Sequence, residues 1–178
     1  MNIHITDGWV VRAQGSVEVA APASAVWGQM RDVDWFLTRD PLHARVQRTD
    51  GRDASASWER AEITISHRVM GLGPDRVGRV LAWKEGHGFA VSDLSRRGPG
   101  VGFPHVCAFR IQPRDERSCR VVVDIRGRWT ARWMPRWTAK LWLRWVLSAT
   151  ESRLSADLAD FAAWRKKFAP QSSGSHHP

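Results

Sequence analysis

Between Val10 and Arg128 apolar and polar positions alternate in short runs separated by turn residues. Residues 10–20, VVRAQGSVEVA, place Val17 and Val19 on one face and predict a strand. Pro22 stands near the start of a helix, where its missing N–H is harmless. Ser24 to Val33 predicts a short helix with Val26, Trp27 and Met30 on one side, and Asp34-Trp35-Phe36-Leu37 a second one that ends before Pro41. Six strands follow at 43–49, 57–69, 76–84, 89–95, 104–112 and 119–130, closed by turn signals such as Asp50-Gly51 and Glu85-Gly86-His87-Gly88. Short links between consecutive strands predict an antiparallel meander. Only the stretch from about Pro135 to Phe168 is strongly helical. The order predicts an α+β fold: a curved antiparallel sheet of about seven strands wrapped around a long C-terminal helix, with two short helices after the first strand.

The hairpin turns set a register. One face then carries Ile63, Trp83, Phe89, Phe109 and Val123, and its next row Ile65, Leu81, Val91, Cys107 and Ile125. Both rows are apolar, as a buried concave face requires. The following row on that face is His67, Arg79, Asp93, His105 and Gly127. Ionisable groups on a core-facing side are costly unless they pair or meet water. Two arrangements satisfy that condition. The row lies at the solvated rim, or it forms the polar end of an apolar cavity, with Asp93 between Arg79 and His105. In the second case the site suits a ligand with one polar end. His67, Asp93 and His105 are then also the candidate acid–base residues. A slip of one residue moves the whole row to the outer face.

A length of 178 residues fits one domain, expected over 1–168, followed by a polar tail at 169–178 with no periodicity, expected to be disordered. No window holds the roughly 18 uninterrupted apolar residues of a membrane span. Met1 to Trp9 lacks the basic segment and apolar run of a secretory signal. A cytoplasmic location is the resulting expectation. Cys107 and Cys119 show neither CxxC spacing nor a neighbouring His/Cys cluster, so reduced thiols and no metal site are expected. Gly98-Pro99-Gly100-Val101-Gly102 lacks the lysine and helix that cradle phosphate, and no serine occupies a nucleophile elbow. No cofactor is implied.

The net charge of +9 is uneven: residues 1–60 hold 7 Arg against 8 Asp/Glu, and residues 61–178 hold 20 Lys/Arg against 10 Asp/Glu. Five of the eleven tryptophans are Trp129, Trp133, Trp137, Trp142 and Trp145, and Arg132, Arg136, Lys140 and Arg144 recur every fourth residue beside them. This segment, 129–145, fits a peripheral membrane contact. It equally fits a helix that covers the sheet and snorkels its cations, or a dimer interface. A helix from Pro135 to Phe168 would run roughly 50 Å. That is long for one small sheet, so a break is expected near Ser148 to Ser152. Leu154, Leu158 and Phe161 would then pack on the sheet, with the Trp-rich part near the cavity entrance. Charge alone does not identify a nucleic-acid binder; no recognised motif accompanies it, and no specific nucleic acid is expected as partner.

The run Val17-Glu18-Val19-Ala20-Ala21-Pro22-Ala23-Ser24-Ala25-Val26-Trp27 resembles the opening V-x-V-x-A-P-x-x-x-V-W of the START-like, or SRPBCC, superfamily. Trp35 sits where that superfamily often has an aromatic on a short helix, and Glu151 to Phe168 resembles its closing helix. The resemblance covers about residues 10 to 168 and implies a helix-grip fold. It also implies a cavity for a small hydrophobic molecule such as a lipid, polyketide or isoprenoid, with Trp35 and the two apolar rows as its wall. Carriage of that molecule and a polyketide cyclase or aromatase activity are both open, because the superfamily shares no catalytic motif.

Overall fold

Eight antiparallel strands form one curved sheet in the computed structural model, which describes residues 2–40, 42–53, 57–68, 75–95, 103–130 and 135–159. The elements are β1 (Asn2–Ile5), β2 (Val10–Val19), α1 (Ala23–Met30), α2 (Val33–Thr38), β3 (His43–Arg48), β4 (Glu62–His67), β5 (Asp75–Lys84), β6 (Gly88–Ser95), β7 (His105–Pro113), β8 (Cys119–Arg128) and α3 (Arg136–Ala159). The spatial order is β1-β2-β8-β7-β6-β5-β4-β3, so β8 pairs back onto β2. This is the predicted α+β helix-grip fold, with one strand more than expected.

The extra strand is β1. Asn2-Ile3-His4-Ile5 is too short to announce itself, and it becomes a strand by pairing with β2, Asn2 opposite Gln14 and Ile5 opposite Val11. A second difference is the start of β4. Residues 57–61 form a turn, in which the Ala61 N–H donates to the Trp58 carbonyl at 3.0 Å and Arg60 has φ 60°. A non-glycine residue in the left-handed region interrupts extended backbone, so pairing begins only at Glu62.

The helices bury one stripe each. Val26, Trp27 and Met30 of α1, Val33, Phe36 and Leu37 of α2, and Ala139, Leu143 and Leu147 of α3 join Ile63, Ile65, Phe89, Val91, Phe109, Val121, Val123 and Ile125 in one core. The three α3 residues are spaced by four and so line one face. The expected break near Ser148 to Ser152 is absent: α3 is continuous from Arg136 to Ala159 and contains neither Pro nor Gly to kink it. Arg39, just past α2, reaches Asp157 of α3 at 3.3 Å and ties the far part of the helix down. Leu154, Leu158 and Phe161 were expected on the sheet, but their side chains lie outside the described residues. Arg132, Trp133 and the tail 169–178 also lie outside them. No described helix is long and apolar enough to cross a membrane.

Candidate functional site

The inward rows of β6, β7 and β8 stand as predicted. Phe89 faces Phe109 and Phe109 faces Val123; Val91 faces Cys107 and Cys107 faces Ile125; Asp93 faces His105 and His105 faces Gly127. Trp83 also pairs with Phe89. Trp27, Trp83, Phe89, Phe109 and Phe36 make a chain of ring contacts with centroids 5.0 to 6.1 Å apart. Glu85 accepts hydrogen bonds from both indoles at one end, Trp27 Nε1 at 2.8 Å and Trp83 Nε1 at 3.2 Å. Trp35 is half-buried against the core from α2.

The prediction fails on β5. A register shift between Val80 and Ala82 leaves Leu81 as the extra residue of a bulge. Because side chains alternate with period two, one extra residue reverses every side chain before it. Leu81 is 51% exposed. Arg79 also points outward, where it pairs with Glu62. Neither lines the interior. Val80, Gly78 and Arg76 take the inward positions, and Val91 pairs with Val80. On β4, Ile63 and Ile65 are inward and fully buried as predicted, but Ile63 faces Gly78 instead of Trp83. A Cβ on Gly78 would lie 2.7 Å from Ile63 Cγ1 and 2.6 Å from the Ser92 carbonyl oxygen, so the packing here requires glycine.

The polar row therefore closes around a different arginine. Asp93 is 4% exposed. Arg76 Nε donates to its Oδ1, and Arg76 Nη2 donates to the Asp93 and Phe103 carbonyls, each at 3.1 Å. His67 Nε2 lies 3.0 Å from Asp93 Oδ2, and His105 Nε2 lies 3.9 Å from the same oxygen. Burial pushes the Asp93 carboxyl up. The His67 hydrogen bond and the His105, His67 and Arg76 charges outweigh it and hold the pKa down at about 2. Asp93 is thus an ionised anchor at neutral pH, not a proton donor.

Backbone carbonyls fix two of the imidazoles. His105 Nδ1 is 2.9 Å from the Phe103 carbonyl, and its ring stacks on Phe103 with centroids 4.7 Å apart. Gly127 makes room for this pair, since a Cβ there would sit 2.6 Å from both Phe103 Cε2 and His105 Cβ. His43, opposite His67 across the β3–β4 pair, has Nδ1 2.8 Å from the Leu37 carbonyl and its ring edge-on to His67 at 5.0 Å. A carbonyl only accepts, so both Nδ1 atoms donate. His67 Nδ1 is buried with no hydrogen-bond partner among the described residues.

Burial lowers the His105 pKa, more than the Asp93 charge and the Phe103 carbonyl restore it. Burial likewise raises the Cys107 thiol. Yet the His105 side chain keeps 21% of its surface open, and Cys107 is only partly covered. Cys107 and Cys119 are not bridged to each other.

His43, His67 and Asp93 each present a ligand atom within 4.8 Å of the others. Two imidazoles and a carboxylate are a donor set that divalent transition metals accept. Sequence spacing, which led to the expectation of no metal site, does not show this set, because its members come from three strands. A divalent ion here would share the carboxylate with the Arg76 guanidinium, which repels it. The geometry serves the ion pair first.

Sequence reasoning missed Arg76 and His43. The signal for His43 was available: extending the polar row across the β3–β4 pair puts it opposite His67. Arg76 had no local signal, because the bulge that turns it inward is set by pairing on both sides of β5.

No protein-family model and no curated protein matches the chain. Among solved structures, the chain is similar to an aromatase/cyclase named Zhui from a Streptomyces species (TM-score 0.68, 17% identity, 90% of this chain and 97% of that one). It is also similar to a START superfamily protein from Mycobacterium smegmatis (TM-score 0.63, 16% identity, 83% and 96%). A third similar structure is the di-domain ARO/CYC StfQ from the steffimycin biosynthetic pathway (TM-score 0.65, 15% identity, 88% of this chain and 52% of that one).

Proposed function

For a chain with this START-like fold, we propose that the space between the sheet and α3 binds a small hydrophobic molecule, such as a lipid, polyketide or isoprenoid. Aromatic and aliphatic rows would hold its body, and the Arg76–Asp93–His67–His105 cluster would meet its polar end. One observation carries the reading: His105 and Cys107 keep open surface although they stand on the inward rows, opposite buried Asp93 and between buried Val91 and Ile125. A mostly apolar wall with a few converging polar groups is the usual make-up of a small-molecule site. Native mass spectrometry of protein purified from its own source is expected to show one retained small apolar molecule, released by organic solvent. Protein that is bare in that measurement and also takes up no apolar probe would end this reading.

A polyketide cyclase or aromatase activity in the same cavity is the second reading, favoured by the buried contact between His67 and Asp93. Asp93, ionised, would orient and stabilise the imidazoles. His67 donates Nε2–H to Asp93 and its Nδ1 is enclosed, so His105 Nε2 is the nitrogen placed to take a proton from a ligand. The test is cyclisation of a synthetic poly-β-ketone thioester by the protein and its His67→Ala, Asp93→Ala and His105→Ala variants. Turnover that drops in all three supports catalysis. No rate above background in the unmutated protein rules it out for this substrate class.

Carriage also needs a place to load. Trp137, Leu141 and Trp145 are 67%, 59% and 56% exposed, on the side of α3 away from Ala139, Leu143 and Leu147, with exposed Lys140 and Arg144 alongside. Apolar side chains beside cations match an anionic lipid surface. Flotation with phosphatidylglycerol vesicles at low salt is expected to carry the protein up, and Trp137→Ala with Trp145→Ala to leave it behind. Failure of the unmutated protein to float at low salt would remove membrane contact from the account.

A further inference from the structure

The polar cluster differs from a site for acidic ligands in one respect. Its histidine N–H donors and Arg76 Nε and Nη2 are turned inward, onto the protein. Arg76 Nε and Nη2 are committed to Asp93 and to two backbone carbonyls. His67 Nε2–H is committed to Asp93 Oδ2. His43 and His105 give their Nδ1–H groups to the carbonyls of Leu37 and Phe103. A neutral imidazole that donates from Nδ1 has a lone pair on Nε2. His105 Nε2 stays 3.9 Å from the nearest Asp93 oxygen, too far for a hydrogen bond, so its lone pair is unspent there. His43 and His67 lie with Asp93 in one group, which brings a second such lone pair to the same end of the sheet.

We propose that this end of the cavity selects a neutral hydrogen-bond donor, an enol, phenol or alcohol O–H, and rejects carboxylates and phosphates. The proposal rests on the ligand-binding reading above and names the chemistry of the ligand's polar end. A hydroxyl would donate to His105 Nε2 and fill the lone pair that the stacked, carbonyl-anchored ring holds in place. An ionised carboxylate would bring negative charge toward two lone pairs and the Asp93 carboxylate, with Arg76 Nε and Nη2 already engaged. A buried, unpaired anion is strongly disfavoured. An ammonium would find Asp93 already neutralised by Arg76, so it would lose its hydration without gaining a counter-charge of its own. A hydroxyl on an apolar body avoids both costs.

The experiment is calorimetric titration at about pH 7 with four probes that share one apolar body: 2-naphthol, 2-methoxynaphthalene, 2-naphthoate and 2-naphthylmethylamine. Expected is binding of 2-naphthol about tenfold tighter than its methyl ether, the scale of one well-placed hydrogen bond in a buried site. The two charged probes should bind at least about tenfold more weakly than 2-naphthol. In His105→Phe, with folding checked by circular dichroism, the advantage of naphthol over the ether should disappear. Naphthoate binding as tightly as naphthol, or naphthol binding no better than the ether, overturns the donor-selective site. In that case ether binding leaves the cavity reading intact. If none of the four probes binds, the cavity reading falls and this inference falls with it. The wild-type series decides the matter even if the variant does not fold.

Discussion

At the scale of single residues, Asp93 organises the interior. It is ionised, almost fully covered, and held by Arg76 and His67. Removing one partner of such a pair leaves a buried charge uncompensated, at a cost of about 3–5 kcal/mol. Asp93→Asn is therefore expected to lower the urea midpoint sharply, while Arg79→Ala, on the outer face, should stay within about 0.5 kcal/mol of the unmutated protein. The sequence-based register would have made both substitutions costly, since it placed Arg79 beside Asp93.

Two pH effects follow with definite signs. The Asp93 pKa is depressed from 3.8 to about 2, so its contribution is complete above about pH 4 and is lost as pH falls through 2. The His105 pKa is lowered from 6.5 by burial, opposed by Asp93 and reinforced by Arg76 and His67. The unfolded chain therefore takes up this proton first, and stability falls as pH drops below about 6.5. Urea unfolding at pH 7 and pH 5 should show a lower midpoint at pH 5, and His105→Phe should shrink the difference. An equal difference in both proteins would remove His105 from the account.

At the scale of elements, α3 has two unlike faces. Leu143 is 1% exposed and Leu141 59%; two residues apart on a helix, they point about 200° apart, to opposite sides. Leu143→Ala is expected to cost about 2–5 kcal/mol in chemical denaturation, through lost burial and a residual cavity. Leu141→Ala should change stability by less than about 0.5 kcal/mol. Most elements were legible in the sequence because their periods and turn residues are local properties. Links centred near residues 99 and 116 in the sequence made even the register of β6, β7 and β8 legible, and with it Asp93 opposite His105. The bulge at Leu81 was not legible: Arg79, Leu81 and Trp83 alternate as smoothly as any strand, and only pairing with both neighbours of β5 decides which residue is extra. The continuity of α3 was misjudged from its length alone, although nothing in its sequence breaks a helix.

At the scale of the molecule, the sheet grips a helix and three α1, α2 and α3 stripes close over the concave face. The opening motif around Pro22 and the element order pointed to this fold, and structures at 15–17% identity share it. Fold does not choose between carrier and enzyme, because one fold can host unrelated functions. That choice rests on the interior, where a polar row beside two apolar rows was visible in the sequence and its true members, Arg76 and His43 included, were visible only once the strands were paired.

Ligand binding rests on the proposed space beside His105 and Cys107. Its most direct measurement is calorimetric binding of 2-methoxynaphthalene to the unmutated protein and to Cys107→Trp, in which the larger side chain would occupy that space, with folding checked by circular dichroism. The account predicts saturable one-to-one binding to the unmutated protein and a loss of at least about tenfold in the folded variant. Equal binding to both proteins, or none to the unmutated one, would contradict it.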